Sequence, residues 1–144
     1  MFKHILVVCI GNICRSPTAE FLFRQQLAHS NVHVSSAGLG ALVGSPMDGH
    51  AIQILKEHGI DAATHRARQI DSAMLRQADL VLAMERKHMA AAARLAPESS
   101  GKMFLLGKWL EAGDVPDPYR QPRQVFERVY SLIECGVDSW LRYL

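Results

Sequence analysis

The chain has 144 residues, enough for one domain with its own core and too few for a multidomain enzyme. Hydrophobic residues make up 49% and charged residues 21%, which excludes a disordered or collagen-like chain. The formal charge is only +2 and the basic residues are scattered, so the clustered positive field of a nucleic-acid binder is missing.

Residues 5–8, Ile-Leu-Val-Val, form an unbroken apolar run rich in β-branched side chains, which predicts a strand buried on both faces. The run from 5 to 10 is too short for a signal-peptide core or a membrane span. Gly11-Asn12 breaks it. Ser16-Pro17 starts a helix, with Glu20 near its positive end and Phe21, Leu22 and Leu27 as its buried stripe. A second strand is expected over 32–37 and an ordered loop over 38–46. A helix over 47–58 turns Ala51, Ile52 and Leu55 inward and stops at Gly59. Asp71 reads as the N-cap of another helix, with Ile70 and Leu75 at the spacing of a hydrophobic staple. Strands at 80–82 and 103–106 bracket a helix over 85–95. From Gln124 onward, Val125, Phe126, Val129, Leu132, Ile133, Val137, Trp140 and Leu141 recur at helical spacing. Cys135 in that helix is expected in the core. Strands alternating with helices imply an α/β fold, one three-layer domain over 1–144 with a parallel sheet between helices. Ligands of such sheets bind beyond the carboxyl ends of the strands, which places the chemistry just after Cys9.

Three cysteines, Cys9, Cys14 and Cys135, are too few for a disulfide framework, and none has the spacing of a zinc site. The expected compartment is a reducing cytoplasm, with no metal and no cofactor. Residues 8–17, Val-Cys-Ile-Gly-Asn-Ile-Cys-Arg-Ser-Pro, join the first strand to the first helix. So short a loop can turn successive backbone N–H groups toward one point and cradle an anion. Gly11 and Asn12 tolerate the left-handed backbone that a tight cradle demands. Arg15 adds a planar fork of donors suited to two phosphate oxygens. Cys9 lies beneath the anion, where the same donors favour its thiolate form. The combination is that of phosphoryl transfer through a sulfur nucleophile. No Walker lysine is present, so nucleotide hydrolysis is not expected. The competing reading, a strand-end cysteine that is only a small hydrophobe, is outweighed by the strand before it, the helix after it and Gly-Asn between.

The stretch 9–20, Cys-Ile-Gly-Asn-Ile-Cys-Arg-Ser-Pro-Thr-Ala-Glu, resembles the signature of low-molecular-weight protein tyrosine phosphatases. The resemblance continues through Ser36-Ala37-Gly38, residues 65–70 (His-Arg-Ala-Arg-Gln-Ile) and residues 117–120 (Asp-Pro-Tyr-Arg). The loop 38–44 and the Asp-Pro-Tyr-Arg segment look most like the bacterial subgroup, whose members are often paired with tyrosine autokinases of capsule and exopolysaccharide export. The fold then expected is a four-stranded parallel sheet in the order 2-1-3-4 with a phosphate loop after the first strand. The resemblance implies Cys9 as nucleophile and Arg15 as phosphate ligand, with Ile10, Gly11, Asn12, Ile13, Cys14 and Ser16 around the phosphate.

It also puts the general acid at Asp117, where the residues alone leave Asp48 and Glu85 as competitors and Asp114 as a decoy. Two prolines stiffen that segment. Tyr119 becomes one wall of the slot and Leu42 the other, although Leu42 by itself reads as a core leucine. Arg120 stands where eukaryotic relatives carry a second tyrosine. Asn12, Ser16, Ser36 and His65 are implied to brace the loop, and the other six histidines form no constellation and read as surface or capping residues. Cys14, five residues after Cys9, is expected to trap oxidised Cys9 as a disulfide.

The implied partner is a phosphotyrosine protein, a membrane-bound tyrosine autokinase above all, together with phosphate-like oxyanions. No nucleic acid and no membrane insertion are expected, and the chain is read as a monomer or weak dimer. Two other readings compete. An arsenate reductase of this fold needs a relay cysteine pair after the third strand, and residues 82–89 contain no cysteine. A phosphate or phosphopeptide binder would have no use for a positioned acid.

Overall fold

The structure, a computed structural model, describes residues 2–144. The first strand, β1 (His4–Cys9), lies at the centre and pairs in parallel with β2 (His33–Gly38) on one side and β3 (Leu80–Ala83) on the other. The last strand, β4 (Met103–Leu105), pairs with β3, so the order is β2-β1-β3-β4, as expected. Successive strand residues point to opposite faces. Accordingly Ile5, Val7 and Cys9 enter one core and Leu6 and Val8 the other.

The first core lies under α1 (Arg15–Gln26), α2 (Gly49–Glu57) and α5 (Arg123–Leu141). The second, smaller core lies under α3 (Ser72–Gln77) and α4 (Arg86–Leu95). Asp71 caps α3 by accepting the Met74 N–H, with Ile70 and Leu75 buried together beneath it. A short 3-10 turn at Pro97–Lys102, without a clear signal in the sequence, leads into β4. Among the described residues no helix is long and apolar enough to cross a membrane.

Three local readings need correction. α2 starts at Gly49 because Asp48 accepts the His50 N–H and caps it, and its fully buried residues are Ala51, Ile54 and Leu55, while Ile52 packs against the core only partly buried. Glu85 precedes α4 instead of opening it. Cys135 is exposed, since the buried stripe of α5 runs through Phe126, Val129, Tyr130, Ile133, Gly136, Val137 and Trp140 and leaves position 135 on the outer face. Gly136 belongs to that stripe because a Cβ there would meet the Leu106 carbonyl oxygen at 3.0 Å.

Candidate active site

Beyond Cys9 the chain curls before entering α1. Six consecutive carbonyls of this curl are engaged. Cys9 O accepts from Leu39 N–H (2.9 Å), Ile10 O from Gly40 N–H (3.0 Å) and Gly11 O from Leu42 N–H (3.1 Å). Asn12 O accepts from His65 Nε2–H (2.7 Å), Ile13 O from Asp48 N–H (2.8 Å) and Cys14 O from the Thr18 hydroxyl (2.6 Å). A loop whose carbonyls all turn outward presents its N–H groups inward, which makes a concave site for an anion. The helix that follows has no side-chain cap at Cys14, so the positive end of α1 opens on the same point. The crossing is close: a Cβ on Gly38 would lie 2.2 Å from Ile10 O, so only glycine lets the end of β2 pass under the curl.

Asn12 adopts φ 58°, a left-handed conformation that a residue with a side chain keeps only when held. The holding groups form a directed chain. Asn12 Nδ2 donates to Ser16 Oγ and Ser36 Oγ, both at 2.9 Å, and its Oδ1 accepts the Arg68 N–H. Ser36 passes its own hydroxyl proton to Glu20 Oε1 (2.6 Å), and Glu20 is paired with Arg24 (2.6 Å). Ser16 Oγ accepts from Asn12 and also lies 2.8 Å from Cys9 Sγ, where its own hydroxyl proton is free to point at a thiolate. The structure thus brings Asn12, Ser16, Ser36 and His65 together around the loop. Ser16 sits behind the sulfur and does not line the slot itself.

Arg15 is 2% exposed although it carries a charge. Its Nη1 donates to Glu85 Oε2 (2.6 Å) and to Val115 O (2.8 Å), and its Nη2 lies 3.6 Å from Asp117 Oδ2. Val115 is itself anchored by its N–H on Met84 O (2.8 Å), at the end of β3. The segment bearing Asp117 is therefore tied both to the sheet and to the guanidinium. Asp117 Oδ1 accepts the Tyr119 N–H (3.0 Å), which aims Oδ2 at the slot. The Asp117 side chain is 48% exposed and open to water.

The slot encloses about 160 Å³, lined by residues 9–15 with Gly40, Leu42, Asp117 and Tyr119. An apolar cavity of about 150 Å³ takes a benzene ring, so one aryl group fits above the loop. Leu42 and Tyr119 stand at its mouth and are both exposed, so Leu42 is no core leucine. The Arg120 guanidinium lies over the Tyr119 ring at 5.2 Å and holds that wall.

The competing acids are otherwise engaged. Asp48 caps α2, and Asp114 accepts the Arg86 N–H. Burial alone would raise the Glu85 carboxyl, but the hydrogen bond and charge of Arg15 outweigh it and hold it below the usual carboxylate range. Cys14 is buried at the start of α1, and burial first, then the charges of Asp48 and Cys9, pushes its thiol far up. Three groups escape the sequence reading: Glu20, behind Ser36; Glu85, behind Arg15; and His88, fully buried beside Glu85 where a surface or capping histidine was expected. No local pattern marks a partner some 70 residues away. Among the described residues no cluster of His, Cys, Asp or Glu is placed to hold a metal ion.

A family model described as low molecular weight phosphotyrosine protein phosphatase matches residues 4–144. The chain is 46% identical over 144 residues to the low molecular weight protein-tyrosine-phosphatase Wzb of Salmonella typhimurium, covering all of this chain and 95% of the relative. The solved structure of Vibrio vulnificus Wzb in complex with benzylphosphonate superposes with a TM-score of 0.95 at 43% identity, covering 100% of both chains. The crystal structure of the Erwinia amylovora tyrosine phosphatase AmsI gives the same TM-score at 42% identity, covering all of this chain and 94% of that one.

Proposed function

The chain belongs to the low molecular weight phosphotyrosine protein phosphatase family, and on that premise we propose that it hydrolyses phosphotyrosine in proteins through a phosphocysteine at Cys9. The observation that carries this mechanism is the meeting of Cys9, Arg15 and Asp117 on one slot of aryl size.

The phosphoryl group binds over residues 10–15, its equatorial oxygens facing the loop N–H groups and the free edge of the Arg15 guanidinium. Cys9 Sγ attacks phosphorus in line as the phosphorus–oxygen bond to the ring breaks. Asp117, protonated at this stage, gives its proton to the departing phenolate, which would otherwise be a poor leaving group. In the second step Asp117 takes a proton from water, the water oxygen attacks phosphorus, and the sulfur leaves as thiolate. The Ser16 hydroxyl, 2.8 Å from Sγ, stabilises that thiolate. Loop and guanidinium supply the positive charge, so no step draws on a metal.

The Vibrio relative is a structure with benzylphosphonate, a ring one carbon from a phosphonate, and a tyrosyl phosphate carries its ring one oxygen from phosphorus. The physiological substrate is proposed to be a tyrosine autokinase of capsule or exopolysaccharide export, met at the cytoplasmic face. The support is similarity to Wzb and AmsI, and kinase and sugar-export genes beside this one would strengthen it. The mechanism is tested with p-nitrophenyl phosphate and a phosphotyrosine peptide against the parent, Cys9→Ser and Asp117→Ala. The parent turns over both, Cys9→Ser neither, and Asp117→Ala loses more on the peptide, whose phenolate is the poorer leaving group. Turnover by Cys9→Ser overturns the mechanism.

A further inference from the structure

His88 is 0% exposed, and neither ring nitrogen has a hydrogen-bond partner. A buried imidazole always carries at least one N–H, and leaving that donor unmatched destabilises the fold. A leucine would fill the same space without that penalty. The residue stands next to the one charged pair on which phosphate binding depends. Its Nε2 lies 3.4 Å from Glu85 Oε2, in contact but outside hydrogen-bond geometry, and that same oxygen takes Arg15 Nη1 at 2.6 Å. Burial first, then the charge of Arg15, pushes the imidazole below its ordinary pKa, which favours the neutral ring with its single N–H.

A phosphate dianion entering the slot competes with Glu85 for the guanidinium. As Arg15 yields toward the anion, Glu85 Oε2 loses part of its partner while a second negative charge approaches. The other cation in reach, Lys87 Nζ, is 3.6 Å from the opposite oxygen and lies at the exposed surface. Besides Arg15 itself, His88 is the buried donor next to Oε2 among the described residues, and because the two atoms are already 3.4 Å apart, a turn of the ring or of the carboxylate that aligns them completes the bond. Resting on the phosphatase reading above, we propose that His88 is a positioning residue: it donates Nε2–H to Glu85 when phosphate binds and so holds Glu85 in place as the anchor that orients Arg15.

The test compares parent, His88→Leu and His88→Gln by calorimetric titration with inorganic phosphate, beside the kinetics of p-nitrophenyl phosphate hydrolysis. Glutamine keeps an N–H donor at about the same reach, and leucine keeps only the volume. The expected result is a loss of about tenfold in phosphate affinity for His88→Leu, equivalent to part of a hydrogen bond to a charged group. Its thermal midpoint is unchanged or raised, and His88→Gln recovers most of the affinity. Parent-like affinity in His88→Leu, or equal weakness in both variants, overturns the proposal. In the parent, saturating phosphate is expected to slow exchange of the His88 Nε2 proton and shift its resonance. A ring that ignores phosphate refutes the proposal even if a variant fails to fold. A parent that binds phosphate without turning over aryl phosphate refutes the phosphatase reading instead, and the affinity comparison still decides the role of His88.

Discussion

Replacing Asn12 by alanine tests the bracing of the loop. The side chain makes three hydrogen bonds: two from Nδ2, to Ser16 and Ser36, and one at Oδ1 from the Arg68 N–H. Both serines keep another partner, Cys9 Sγ and Glu20 respectively, whereas the Arg68 N–H loses its acceptor. At about 1 kcal/mol net for each bond the loss approaches 3 kcal/mol, and holding alanine at φ 58° adds about 1 kcal/mol. Because the bonds share one network and do not sum fully, the expected loss is about 2–4 kcal/mol. With a urea slope near 2 kcal/mol/M, the midpoint falls by about 1–2 M. Asn12→Gly separates the two contributions, since glycine accepts the left-handed angle, and it should unfold later than Asn12→Ala by about 1 kcal/mol. Phosphate affinity should fall in both. An Asn12→Ala protein with the parent's midpoint and phosphate affinity would refute the claim that these bonds hold the loop.

Other outcomes follow from the same geometry. Asp117→Asn should cut turnover of phosphotyrosine by about 10²–10⁴-fold, and the deficit should shrink steadily along a series of aryl phosphates with better leaving groups; a constant deficit would remove Asp117 as acid. After brief peroxide treatment the parent should regain activity with dithiothreitol, because Cys14 can condense with a sulfenic acid on Cys9 and release water. Cys14→Ser should not regain it, and equal recovery would exclude the trap. Glu85 is held below the usual carboxylate range, so it stabilises the fold above its unfolded value near pH 4.3 and that stability is lost as pH falls through its lower folded value. Thermal midpoints of Glu85→Gln should therefore fall less steeply than the parent's below about pH 4. His88 is also depressed, so its contribution declines as pH drops from about 6.5 toward its lower folded value, a decline absent in His88→Leu.

Much of this molecule is legible in the sequence because its signals are local. The apolar run of β1, the Asp71 cap and the stripe of α5 follow from periods of two and 3.6 residues and from turn chemistry. What escaped depends on partners brought together by topology. Ile52 and Ile54 are the same residue type in α2, yet Ile54 is fully buried and Ile52 only partly, a difference set by how the helix packs on its neighbours. Cys135 lies one position from buried Gly136 yet faces outward, a difference set by the phase of packing against Leu106. At the site, Cys9 and Arg15 announce themselves within one loop. Glu20 reads as an ordinary first-turn acid until Ser36 is placed against it, and His88 as a surface residue until β3 and the segment carrying Asp117 set Glu85 and Arg15 beside it.

The proposed reaction stands on a covalent phosphoryl group at Cys9. Asp117→Ala mixed with a fast-leaving aryl phosphate, quenched within milliseconds and digested, provides the direct measurement by mass spectrometry. One phosphoryl group is expected on the peptide carrying Cys9, appearing with the first turnover and absent in Cys9→Ser. Phosphate released with no such adduct at any time, or an adduct on a different residue, would contradict it.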